Sequence, residues 1–266
     1  MNNIDCTIVT AFYDFEKKKH STESYKEWIK KFLPFSNANM IIFTDGSHNE
    51  FLLDTRKEHL SKTKIIVLSL QEFYTYKYLE HWKKDLIRDH EHFRHSIELY
   101  MIWNEKSMFL KRAIEMNPFN TEYFCWADIG MIRDDAYIPY IRTFPRIRDT
   151  INKNKIYLLN IQHIFNAQDE FKELASERYR YINAIGGTII FGNQNNLLKW
   201  VHKYYNILKE FVSKDLFAGK DQSLMACLYV KNKDLIQLVR PQPSELNEKL
   251  KVPFHDDWFY LVFYLS

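Results

Sequence analysis

Three short apolar runs dominate what this chain can fold into. They are Cys6 to Phe12 (Cys-Thr-Ile-Val-Thr-Ala-Phe), Ala38 to Thr44 (Ala-Asn-Met-Ile-Ile-Phe-Thr) and Tyr123 to Ala127 (Tyr-Phe-Cys-Trp-Ala). Each is rich in β-branched or aromatic residues and none alternates with polar ones. Such runs read as strands buried on both faces, which is the habit of parallel sheets. Each run also delivers the chain to a carboxylate: Asp14, Asp45 and Asp128. A sheet covered on both faces needs helices between its strands, and the sequence supplies them. Ser21 or Thr22 can cap a helix over Glu23 to Phe32, Phe51 to Leu60 reads as a second helix, and Lys64 to Leu70 as a third strand. Strand and helix alternating through the first 70 or so residues is the pattern of a nucleotide-binding α/β half. In open sheets of this kind ligands sit outside the carboxyl ends of the strands.

The remainder continues the theme. Leu79 to His95 is rich in charge, histidine and aromatics, and reads as a helix with a solvated face or an excursion over the site. Ser96 to Met116 is an amphipathic helix that Asn117-Pro118 stops. Ala136 to Arg148 holds two prolines and reads as irregular. Lys155 to Asn160 and Ala184 to Phe191 are strands, the second introduced by Gly186-Gly187. Gln168 to Tyr181 reads as a polar helix or lid, Gln194 to Val212 as a long helix, Leu224 to Tyr229 as a helix after Gly219, and Leu235 to Val239 as a late strand. No repeat or low-complexity linker divides the chain, so one domain over 1–266 is expected, with 1–135 as the nucleotide-binding half and 136–266 as the acceptor side.

Composition excludes several classes. A net charge of +3 is too small for a nucleic-acid binder. No apolar run approaches the roughly 18 residues of a membrane span, and Met1 to Asp5 lack a signal peptide's pattern. A cytoplasmic protein is expected, with peripheral contact to a membrane left open and the oligomeric state unread. Cys6, Cys125 and Cys227 are scattered in apolar surroundings, as buried free thiols would be. Glycine is scarce, with 6 in 266 residues, so each one points to a backbone constraint.

Against that background a few residues carry chemistry. Asp128, followed by Ile129 and Gly130, sits at a strand end where a carboxylate can meet Mg²⁺ or Mn²⁺, ions that take oxygen ligands and keep places for phosphate. A solvated acidic turn is the other reading of the same residues. His255, late in the chain beside Asp256 and Asp257, can complete such a site or be a surface histidine. Gly186 and Gly187 allow either close approach of a ligand or a bulge. Asp221-Gln222 either caps a helix or faces substrate. Lys106, Lys111 and Arg112 share one helix, where a solvated face is the ordinary role.

Thr-Ala-Phe-Tyr-Asp from Thr10, Ile-Ile-Phe-Thr-Asp from Ile41, Trp-Asn-Glu-Lys from Trp103, and Phe-Cys-Trp-Ala-Asp-Ile-Gly-Met-Ile-Arg from Phe124 together resemble the bacterial HtrL/YibB-like family. The resemblance implies a place among glycosyltransferases. More distantly the chain resembles the GT-A fold, in which a strand-end Asp-X-Asp binds metal and nucleotide diphosphate. The resemblance implies a single GT-A-like domain with a Rossmann-like, mostly parallel central sheet flanked by helices. It implies transfer of a sugar from a nucleotide-diphosphate donor, a UDP-sugar first, to a glycan or other hydroxyl. Thr10, Ala11, Tyr13 and Asp45 would then hold the nucleoside. Asp128 with His255 would hold Mn²⁺ or Mg²⁺, with Gly130, Lys106 and Arg133 at the diphosphate. Gly186 and Gly187 would approach donor or acceptor. Asp221 would act as base in an inverting transfer, and Asp221 or Gln222 would steady the sugar's positive charge in a retaining one. Gly130 stands where the pattern has its second Asp. A nucleotide-sugar- or glycan-binding module without catalysis is therefore the alternative. A nucleotidyltransferase would want a glycine-rich loop after the first strand, and Ala11 to Glu16 has no glycine.

Overall fold

A computed structural model describes residues 6–15, 20–161, 184–242, 244 and 257–266. Among these residues seven strands form one sheet: β1 (Cys6–Phe12), β2 (Asn39–Thr44), β3 (Thr63–Val67), β4 (Tyr123–Ala127), β5 (Ile156–Asn160), β6 (Ile185–Asn193) and β7 (Ile236–Val239). Their order is β3-β2-β1-β4-β6-β5-β7. The first four run parallel, as the expected α/β class requires. β6 runs antiparallel to both its neighbours, β4 and β5, and β7 is parallel to β5. The sheet is thus mostly parallel, with one reversed strand near its middle.

Helices cover both faces because the strand residues alternate between two cores. Phe124 and Trp126 of β4 point into one core with Val9, Ile41, Phe43, Phe109 and Trp200. Tyr123, Cys125 and Ala127 point into the other with Ile8, Phe12, Ile29 and Phe32. The first core is roofed by α4 (Ile97–Met116), α6 (Gln194–Ser213) and α7 (Asp221–Lys231), with α3 (Leu79–Arg88) at its rim. The second is covered by α1 (Thr22–Phe32), α5 (Ile138–Ile141) and a last short helix, Tyr260–Tyr264. Ser21 caps α1, accepting a hydrogen bond from the Ser24 amide.

Several boundaries differ from the sequence reading. The second helix, α2, spans only Asn49–Thr55 and continues as a 3₁₀ stretch over Lys57–Lys62. The kink follows Arg56, whose buried guanidinium is tied to the carbonyls of Leu33, Ser36 and Ala38. Gly186 and Gly187 lie inside β6, not before it. The stretch after Ala136 contains α5, which holds the first of the two prolines, Pro139, in its opening turn. The Gln168–Tyr181 segment lies outside the described residues.

Candidate active site

The parallel strands β1 and β4 end at one edge of the sheet, and β6, being reversed, begins there. Three chain segments therefore converge: Ala11 to Tyr13, Asp128 to Gly130, and Gly187-Thr188. The Asp128 amide donates to the Thr188 carbonyl at 2.9 Å, which fixes the turn after β4 against the start of β6. Helices α4 and α7 bring Lys106 and Asp221 to the same edge. Together these segments line a cleft of about 350 Å³.

At its floor is an ion-paired cluster. The Lys106 ammonium donates to the Gly187 carbonyl at 2.8 Å. It lies 3.2 Å from Asp128 Oδ1 and 3.2 Å from Asp221 Oδ2. The Gly187 carbonyl thus takes a hydrogen bond, and the two carboxylates hold the ammonium as ion pairs. Lys106 and Asp221 are buried, whereas the Asp128 side chain is 34% exposed toward the cleft. Burial alone would lower the Lys106 pKa; the carboxylates of Asp128 and Asp221 outweigh it and hold the ammonium charged above its ordinary value. The Trp126 indole N–H donates to Asp128 Oδ1 at 2.8 Å. That ring lies flat against Phe109, which sets the carboxylate's direction through the core.

The two glycines of the cleft are there for space. A Cβ on Gly187 would sit 2.5 Å from Asp221 Oδ2 and 3.3 Å from the Lys106 ammonium. A Cβ on Gly130 would sit 2.9 Å from the Trp28 ring and 3.2 Å from that of Tyr25. Position 130 therefore has no room for the carboxylate that an Asp-X-Asp pattern would place there.

Of the residues singled out in the sequence, Ala11, Tyr13, Lys106, Asp128, Gly130, Arg133, Gly187, Asp221 and Gln222 line this one cleft. Tyr13 contributes its ring, since its hydroxyl donates to the Leu68 carbonyl at 2.8 Å. Arg133 lies over the rings of Trp28 and Phe259 at the rim. Asp221 is not the cap of its helix: Lys220 holds that position, and the Asp221 carboxylate turns to Lys106 instead. Thr10, Asp45 and Gly186 are not among the lining residues. Thr10 is fully buried in β1. Asp45 folds back on its own turn, accepting from the Ser47 amide and hydroxyl. Gly186 packs on Leu159 and Ile161. His255 lies outside the described residues. Thr188, however, donates to the Trp258 carbonyl at 2.6 Å, and Trp258 and Phe259 of the tail line the cleft.

Residues 4–248 match the family described as "Bacterial protein of unknown function (HtrL_YibB)". The chain belongs to the HtrL_YibB family. It is 24% identical over 264 residues to Protein HtrL of Escherichia coli strain K12, covering 87% of this chain and 86% of that one. Mouse xyloside xylosyltransferase 1, in its apo form, overlays with a TM-score of 0.47 at 9% identity, over 88% of this chain and 84% of that chain.

This HtrL_YibB chain also brings to the cleft residues that pattern reading passed over. Glu91, His95, Leu99, Ile102 and Trp103 come from the stretch leading into α4 and from its first turns, and Lys220 precedes α7. Lys220 is buried and paired with Glu91, and it lies 3.9 Å from Asp89. Asp89 is fully buried and takes the Tyr100 hydroxyl at 2.5 Å and His95 Nδ1 at 2.7 Å. Ligand atoms of Asp89, Glu91 and His95 lie within 4.8 Å of one another. The Lys220 ammonium already supplies the positive charge between the two carboxylates, so the group is an internally neutralised network. The signal for it was the density of Asp, Glu and His between Asp89 and His95, which a solvated helix face would also explain. Among the described residues no helix is long and apolar enough to cross a membrane.

Proposed function

We propose that this chain is a glycosyltransferase that takes its sugar from a nucleotide diphosphate. The observation that carries the reading is the convergence of Asp128, Lys106 and Asp221 in a cleft at the carboxyl ends of β1 and β4. An α/β sheet presents nucleotides at that edge. The Ala11–Tyr13 segment would lie along the nucleoside, and the 1–135 half would carry the donor. Gly187, Gln222 and Trp258 of the 136–266 half would face sugar and acceptor. A UDP-sugar is the donor we favour, with a glycan hydroxyl as acceptor. The buried free thiols fit a cytoplasmic setting.

Asp128 fits the minimal protein contribution to a hard cation. It is one carboxylate, a third exposed, facing a cleft where phosphate oxygens and water can complete the coordination. Asp128 would hold Mg²⁺ or Mn²⁺, and the bound ion would neutralise the departing diphosphate. The protein's own residues do the rest. Lys106 keeps Asp128 and Asp221 from repelling each other and fixes both. Arg133, held over two rings at the rim, meets phosphate charge. Asp221 is shut from solvent on Oδ2 and tied to Lys106, which suits steadying the sugar's developing positive charge.

The test is donor hydrolysis with a panel of UDP-sugars and Mn²⁺, comparing the wild-type chain with Asp128→Ala. We expect turnover that falls by at least about 100-fold in the variant. Equal rates would remove Asp128 from the site. The crowding of position 130 favours a second reading, a binding module without catalysis. Calorimetry separates them: UDP-sugar binding with no turnover over hours would mean the module.

A further inference from the structure

We propose that His95, held by Asp89, is the general base that activates the accepting hydroxyl. The inference rests on the transferase reading and adds to it a pair of residues outside the Asp128 cluster. His95 Nδ1 donates to Asp89 Oδ2 at 2.7 Å. Asp89 is fully buried, and its position is set by three further contacts. The Tyr100 hydroxyl donates to Oδ2, the Glu91 amide donates to Oδ1 at 2.9 Å, and Lys220 lies 3.9 Å from Oδ1. A carboxylate fixed in this way holds the imidazole with its proton on Nδ1 and leaves a lone pair on Nε2. Among the described residues Nε2 makes no hydrogen bond. The Trp103 ring stands edge-on to the imidazole at 5.0 Å and limits its rotation. The ring lines the same cleft as Asp128, Gln222 and Gly187. Among the described residues the charged groups of that cleft are Glu91, Lys106, Asp128, Arg133, Lys220 and Asp221, with Asp89 hydrogen-bonded to the ring's Nδ1.

The step balances without a further reagent. His95 Nε2 takes the proton of the acceptor hydroxyl as its oxygen forms a bond to the anomeric carbon. The bond from that carbon to the diphosphate oxygen breaks, and its electron pair leaves with the nucleoside diphosphate. The imidazolium returns its proton to solvent once product departs. Bond formation and departure of the diphosphate occur in one displacement at the anomeric carbon, so its configuration inverts. This geometry gives the base role to His95 and leaves Asp221, buried against Lys106, to electrostatics.

The experiment pairs a substrate-free measurement with kinetics. Long-range ¹⁵N–¹H NMR of the neutral imidazole should show His95 protonated on Nδ1; the Nε2-protonated tautomer would overturn the proposal. His95→Asn keeps a donor for Asp89 but has no base. With a UDP-sugar that the wild type hydrolyses, it should bind UDP normally, lose about 100- to 10,000-fold in kcat, and lose the acid limb of the pH–rate profile. Exogenous imidazole should restore part of the rate. An unchanged profile, or a product of retained configuration, would overturn the role. So would Mn²⁺ broadening of the His95 signal in the Asp128→Ala chain, which would put a cation on Asp89, Glu91 and His95. If the wild type hydrolyses no UDP-sugar, the transferase reading falls and the dyad's role with it. If it hydrolyses one and His95→Asn matches it, only the dyad falls.

Discussion

The tightest constraint in the cleft is at Gly187. It has no side chain because its place is taken by the carboxylate of Asp221, and behind that by Lys106. The carboxylate is not a loose end that can swing away, since it is held at 3.2 Å by a buried ammonium. Gly187→Ala is expected to cost about 1–3 kcal/mol of stability from overpacking. It should also pull Lys106 off Asp128 and reduce turnover far more than Gln222→Ala. Urea denaturation and donor hydrolysis on the same preparations check both. Residue reading found much of this cluster, because a carboxylate at a strand end and a glycine pair in a glycine-poor chain are strong local signals. Lys106 was legible only as a candidate. Its helix neighbours Lys111 and Arg112 are not among the cleft's lining residues, the one pairing with Glu115 and the other donating to the Glu72 carbonyl. Nothing in the spacing of three cations tells which one points inward. That depends on how α4 is rotated over the sheet, which is a tertiary fact. His95 was hidden for a similar reason: its meaning comes from Asp89 and from the cleft, neither of which adjacency reveals.

At the scale of elements, α4 does two jobs with adjacent residues. Lys106 turns to the cleft while Glu105 fastens the 3₁₀ segment Tyr74–Tyr78, accepting the amides of Tyr74 at 2.9 Å and Thr75 at 3.0 Å. Burial pushes the Glu105 carboxyl up from 4.5 to about 7, against the opposing pull of those amides. A folded-state pKa above the unfolded value means that the native state binds the extra proton. Its contribution to stability is therefore fully present below the unfolded pKa of about 4.5 and is lost as pH rises through about 7. Glu105→Gln should flatten that stretch of the stability–pH curve, although it exchanges one amide acceptor for a donor. Denaturant midpoints measured from pH 4.5 to 8 test it, and an unaltered slope would exclude Glu105 as the source. The elements themselves were largely legible, since continuous apolar runs and Pro or Asn breaks mark the ends of β1, β2, β4 and α4. The direction of β6 was not. An apolar run looks the same whether it runs up or down the sheet, and only pairing with β4 and β5 decides.

Across the whole molecule, the sheet separates two cores, and the three cysteines sample both. Cys6 and Cys125 lie in one, Cys227 in the other, and all three are buried. If the layers open together, the three thiols should react with a disulfide reagent at a single rate that follows global unfolding. Mass spectrometry of partly labelled chains should then show unlabelled and triply labelled species with little between. A population labelled only at Cys227 would show that the α4–α6–α7 layer opens by itself.

The reversed strand has a consequence for biosynthesis. As the ribosome releases the chain from its N-terminus, β2, β3 and β4 can pair as soon as they emerge, because each finds a partner among strands already made. The open flank of β4 then waits for β6. The intervening β5 appears first and has nothing to pair with, since its neighbours are β6 and β7. An apolar strand without partners is a hazard for aggregation. The nascent chain is thus most vulnerable between the emergence of β5 and that of β6, and a chaperone that shields exposed strands would matter most in that interval.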